Sequence, residues 1–161
     1  MTTTQTSRTS LLQQHAEALG FDISAELRLG GNYAPVIVHN GVAHVSGQVP
    51  RIGQDVVVLG SAGRDVTLEE AQRAARISAM RVLTILHQHL GNLDRVAQVL
   101  RITVFVQSAP DFTLQSQVAD AASDLLVAVL GEAGKHSRSS VGVAQLPKNA
   151  TVEVELTAAI N

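Results

Sequence analysis

The chain has 161 residues, a formal net charge of −2 and no cysteine, which excludes disulfides, thiolate metal sites and cysteine nucleophiles. That charge gives no general attraction to nucleic acid or to an anionic membrane. Three phenylalanines, one tyrosine and no tryptophan are poor equipment for stacking bases. The opening "MTTTQTSRTS" lacks the apolar core of a signal peptide and reads as a disordered polar tail over 1–10. No apolar run approaches the ~20 residues of a membrane-spanning helix. The expectation is a cytoplasmic protein with a single domain over 11–161, long enough to bury its own core.

In chain order, "LLQQHAEALG" has helical spacing and a closing glycine, which predicts a short helix over 11–19. "RLGGNYAP" is a loop built on Gly30, Gly31 and Pro35. In "VIVHNGVAHVSGQVP", Asn40-Gly41 between alternating apolar residues predicts a tight hairpin, since both central residues need positive φ. A turn at Arg51–Gly53 leads to a third short strand, "DVVVLG". Thr67 followed by Glu70 fits a capping box, and Ala71, Ala75, Ser78, Val82, Leu86 and Leu90 line one face of the helix that follows. Gly91 offers its stop. "VLRITVFV", 99–106, reads as a central strand covered on both faces. A helix over 113–130 carries the stripe Val118, Ala122, Leu125 and Val129. Two strands, 138–146 and 151–160, close the chain around "LPKNA".

This order predicts an α/β (α+β) domain: one mixed six-stranded sheet with two helices on one face. The other sheet face would then be bare. With 45% of residues hydrophobic and 16% charged, a large apolar face is expected to be buried between subunits of a homo-oligomer.

Most polar motifs fit structural roles. His87 and His89, two apart on a helix, point to different faces. His39 and His44 share a hairpin face only diagonally, so no metal site is expected. "LGSAGRD" lacks the Lys-Ser/Thr of a phosphate-binding loop, and "VSGQVP" lacks the G-x-S-x-G elbow of a serine hydrolase. Three features remain: Tyr33 in a glycine-rich loop, Ser46-Gly47-Gln48 at a strand end, and Arg138 with Glu153 on the last two strands. Arg138, at a strand mouth, is either a solvated edge charge or an anion clamp. Glu153 and Glu155 alternate with valine and share one face; a carboxylate buried there is costly unless used or paired.

These residues carry a resemblance. "GNYAP…VSGQVP…ITVFVQSAPDF…RSSVGVAQLPKNATVEVELTA" resembles the RidA/YjgF family of enamine/imine deaminases, in one register from about Gly30 to Ile160. "HAEALGFDI" and the insert "SDLLVAVLGEAGKHSRS" resemble its longer, endoribonuclease-like branch. The resemblance implies a chorismate-mutase-like subunit assembled as a homotrimer, with clefts at the subunit boundaries. It implies hydrolysis of 2-imino or 2-enamino acids to 2-oxo acids and ammonia with no cofactor; the family's name also carries a ribonuclease activity, against which the acidic balance and scarce aromatic residues argue, and the charge gives no attraction to a membrane. The implied substrate is a small carboxylate-bearing imine or enamine. Arg138 then binds its carboxylate and Glu153 holds or activates water, these two being the catalytic residues. Tyr33, Ser46, Gly47 and Ser140 join Arg138 in binding substrate.

The sequence departs from the pattern at Ser140, where many relatives carry cysteine, and at Gly142, where many deaminases carry glutamate. The register of Ser116–Asp120 against the family's ligand-contacting asparagine is ambiguous. A protein that binds small carboxylate metabolites in the same clefts without catalysis is the alternative function.

Overall fold

Asn40 and Gly41 take positive φ (49° and 74°) and close the turn between β1 (Val36–His39) and β2 (Val42–Gln48), as the Asn-Gly pair predicts. The computed structural model describes residues 7–161. The main sheet has five strands in the order β1-β2-β7-β5-β6, with β5 (Val96–Gln107), β6 (Ser137–Val143) and β7 (Val152–Ile160). β6 runs parallel to β5 and the other neighbours are antiparallel, so the sheet is mixed. The expected sixth strand does not join it. β3 (Arg51–Ile52) and β4 (Asp55–Val56) pair only with each other across a turn at Gly53 (φ 57°), and the rest of "DVVVLG" continues without a ladder.

Three α-helices form among the described residues, the short N-terminal one beginning three residues earlier than its spacing predicts. α2 (Leu68–Leu90) starts at the full Thr67/Glu70 capping box and stops at left-handed Gly91, as its sequence signals require. α3 (Gln115–Leu130) buries all four residues of its predicted stripe. α1 (Arg8–Leu19) packs on α2 and α3. The first six residues of the predicted tail lie outside the described residues, but Arg8–Ser10 belong to α1. Ser7 caps that helix, and Arg8 donates hydrogen bonds to the Leu93 and Val96 carbonyls. Among the described residues no helix is long and apolar enough to cross a membrane.

Two-residue alternation divides the strands between faces. Val152, Val154, Leu156 and Ala158 lie beneath the helices with Ile102, Val104 and Val106 of β5. The opposite face carries Glu153, Glu155 and Thr157 beside Phe105, Thr103 and Arg101, with Val141 on β6 and His44 on β2. The bare face is therefore mixed and largely polar, and β5 is covered on one face only. The apolar excess went elsewhere. Every residue of α2 from Ile77 to Leu86 is buried, because sheet, neighbouring helices and loops together enclose that helix.

Candidate active site

The site begins at an irregularity in β2. The β2–β7 ladder runs to Val45↔Leu156 and resumes at Gln48↔Val154, so three steps on β2 face two on β7. Such a bulge bends the strand and re-aims its side chains. Here it lays Gly47 against Glu153: a Cβ at position 47 would overlap the Glu153 carboxylate and stand 2.8 Å from its Cδ. The glycine of "SGQ" thus makes room for the carboxyl group. Ser46 works beside it, its hydroxyl donating to the Ala34 carbonyl at 2.8 Å and tethering the loop that carries Tyr33.

Glu153, Gly47 and Tyr33 line one cavity of about 270 Å³. Partial burial raises the Glu153 carboxyl above its ordinary range, and the neighbouring charge of Glu155 pushes the same way. Glu153 forms no ion pair among the described residues. A carboxyl group displaced towards neutrality at a cavity wall is equipped to exchange protons.

The same cavity holds residues that the sequence reading passed over: Arg28, Arg51, Arg81 and Lys148. Arg51 and Arg81 are each only 3% exposed. Arg81 sits in the enclosed run of α2. Its Nε donates to Gln48 Oε1 at 3.1 Å, and its Nη2 and Nη1 reach the Arg28 and Arg51 carbonyls at 3.1 and 3.4 Å. Burial, with the positive charge of Arg51 alongside, lowers its pKa to about 10. Gln48, the last letter of "SGQ", is thereby a mount for a buried guanidinium. The available signal was a lone cation in the uncharged run "ISAMRVLTIL".

Lys148 reaches the rim through strained backbone. Lys148 and Asn149 both take positive φ, 57° and 58°, a conformation that non-glycine residues adopt at a cost. Gln107, 3% exposed, clamps this turn by donating to Asn149 Oδ1 at 2.7 Å and accepting from the Leu146 N–H at 2.8 Å.

Arg138 is elsewhere. It pairs with Ile102 in the β5–β6 register, which turns its side chain to the helix face. There it donates to Asp120 Oδ1 (2.9 Å), Ser123 Oγ (3.0 Å) and Ser116 Oγ (2.9 Å), all on α3. Ser140, paired with Val104, shares that face. Within one chain, then, Tyr33, Gly47 and Glu153 come together with Ser46 behind them, while Arg138 and Ser140 lie on the other side of the sheet. The Ser116–Asp120 segment proves to be what holds Arg138. At Gly142 a Cβ would stand 2.8 Å from Gln115 Nε2, so the glutamine amide fills space that a larger residue there would need.

Comparison with known proteins places this geometry. The family model described as "YjgF/chorismate_mutase-like, putative endoribonuclease" matches residues 15–160. The chain belongs to the YjgF/RidA family. Protein TCP17 of Trypanosoma cruzi is 42% identical over 146 residues, covering 90% of this chain and 91% of that one. The structure of Atu1372 from Agrobacterium tumefaciens, a protein described as of unknown function, superposes with a TM-score of 0.85 at 36% identity, covering 96% of this chain and 95% of that one. A Shewanella oneidensis structure given the same "putative endoribonuclease" wording matches with a TM-score of 0.85 at 28% identity, over 92% and 99% of the two chains. The matched residues 15–160 include every cavity-lining residue named above.

Proposed function

We propose that the Glu153 cavity hydrolyses small 2-imino and 2-enamino acids to 2-oxo acids and ammonia, without a cofactor. The observation that carries this reading is the Glu153 carboxyl group, partly buried against Gly47 and held above its ordinary pKa. As water oxygen bonds to the C=N carbon, Glu153 takes a proton from the water. It returns that proton to the nitrogen of the carbinolamine. As the C–N bond breaks with its electron pair on nitrogen, the hydroxyl proton passes through Glu153 to that nitrogen, so that NH3 leaves and the carbonyl forms. Each step needs a held substrate and one proton-carrying group near the reacting carbon.

The substrate carboxylate is assigned to Arg138, with its planar fork of donors. Because Arg138 and Glu153 face opposite sides of one sheet, they serve one ligand only across a subunit boundary. This reading therefore includes the homotrimer: Phe105 and Val141 on the mixed face, and Leu100 at 42% exposure, are apolar groups for such a boundary to cover. Light scattering should return about three times the 17.0 kDa chain mass. Imines generated in situ by an amino-acid oxidase should disappear faster when the protein is added, at a rate unchanged by EDTA. A monomer mass, or no response across a broad imine panel, refutes the corresponding part.

The second reading is a sensor that binds small carboxylate metabolites in the same clefts without turning them over; it keeps Arg138 and needs no proton carrier, so a dispensable Glu153 would favour it. An endoribonuclease has less support, given the net charge of −2 and the scarcity of aromatic residues. RNA binding with a steep salt dependence would be its sign.

A further inference from the structure

Two arginines stand side by side in the wall of the Glu153 cavity with less than their full complement of partners. Arg51 Nε is buried without a hydrogen-bond acceptor, and that guanidinium makes one long hydrogen bond among the described residues, 3.4 Å from Nη1 to the Arg28 carbonyl. Arg81 is bonded, but only to neutral oxygens. Among the described residues neither arginine is ion-paired. Glu153 makes no ion pair with either arginine among the described residues, and burial and Glu155 raise its carboxyl above the usual range. Buried like charges repel, and each carries a desolvation cost that carbonyl dipoles offset only in part. Lys148 at the rim adds a further positive charge to the same cavity.

We infer that Arg51 and Arg81 form an anion-binding subsite for a second carboxylate of the ligand, so that the preferred substrates are imino and enamino acids with an acidic side chain. The inference rests on reading the Glu153 cavity as the reacting site. The first carboxylate then falls to Arg138 and the reacting carbon to Glu153. The side-chain carboxylate reaches the pair, accepting from the idle Arg51 Nε–H and neutralising the repulsion between the guanidiniums. A neutral amide of the same length could accept from that N–H but would leave the repulsion between the guanidiniums unrelieved.

Titration calorimetry with stable acids tests this without any turnover. Succinate should bind roughly 10- to 150-fold more tightly than succinamate, which has nearly the same shape and one charge fewer, as expected for hydrogen bonds to a charged group. In Arg51→Gln the ratio should fall below threefold, and in Arg51→Lys it should be intermediate, since lysine keeps the charge and loses the fork. Thermal unfolding of each variant checks that the fold survives; should Arg51→Gln unfold, the lysine variant decides. Equal binding of succinate and succinamate overturns the inference, as does a succinate preference that survives loss of Arg51. Inorganic phosphate binding as tightly as succinate, with succinamate level with both, also overturns it. Imine hydrolysis with no dicarboxylate preference would reject the subsite and keep the deaminase. A dicarboxylate preference without hydrolysis would do the reverse.

Discussion

Arg138 lies on the edge strand β6 of the main sheet and Arg51 on β3, in the separate two-stranded ladder, and their surroundings are opposite. Arg138 is ion-paired with Asp120 and takes two serine hydroxyls besides, so its own chain supplies acceptors for both terminal nitrogens. Arg51 is more deeply buried and has one long hydrogen bond. A cation satisfied by its own helix gives up those contacts to bind a ligand, whereas an unsatisfied one gains. Recognition by residue type points to the first; the accounting of donors and acceptors points to the second. The two regions make separable contributions, and substitutions can set one against the other.

The largest effect belongs to the group the two regions share. Glu153→Gln keeps the shape and removes the proton carrier, so turnover should fall by about 10²–10⁴-fold while carboxylate binding persists. Gly47→Ala reaches the same group from the other side, because the new methyl must displace the carboxylate; it should lower turnover in the same direction. Steady-state kinetics with calorimetry separates the effects, and unchanged turnover in Glu153→Gln would demand another proton carrier.

A smaller effect separates the arginines. Arg138→Ala should raise KM roughly 10- to 150-fold with little change in kcat, because the clamp acts on ground and transition states alike. Asp120→Asn should act in the opposite sense. It frees the guanidinium from a pair whose carboxylate is 58% exposed, and pairs of that kind are worth ~0–1 kcal/mol, so KM should fall by up to about fivefold. If Arg138→Ala leaves KM unchanged, the Arg51–Arg81 pair holds the carboxylate alone and Arg138 is structural.

How much of this was legible depended on whether the signal was local. The Asn40-Gly41 hairpin, the Thr67/Glu70 cap and the α3 stripe each depend on residues a few positions apart, and all formed as their spacing predicts. The face shared by Glu153 and Glu155 was equally plain, since alternation within one strand needs no partner. What alternation cannot supply is the face of one strand relative to another. The pairing Ile102↔Arg138 arises after the α3 crossover, and together with Phe105↔Glu153 it decides that Arg138 and Glu153 part company. A one-sided stripe does not single out Arg81, because the middle of α2, from Ile77 to Leu86, is enclosed all round. The two-residue ladder of β3 and β4 carries too few residues to be told from a main-sheet strand by composition.

The smallest expected effect is thermodynamic and isolates Glu153 from any substrate. Burial holds its carboxyl above the ordinary glutamate range, so the folded state prefers the neutral form. That preference stabilises the fold fully below the unfolded pKa of about 4.3 and is lost as pH rises through the folded value. At pH 7–8 the wild type therefore carries a partly desolvated charge that Glu153→Gln does not. The variant should melt higher there, by no more than the roughly 2–4 °C that 1 kcal/mol produces in a chain of this size. At pH 3.5 both side chains are neutral and the two melting temperatures should converge. Arg138→Ala should show no such convergence, because its partner Asp120 is exposed and the pair is weak at any pH where both groups are charged. A Glu153→Gln variant that melts lower at pH 7–8 would mean that the charged carboxylate is held by favourable contacts. The buried arginines would then be its partners, and the cavity would contain a closed ion network with no vacancy for a second carboxylate.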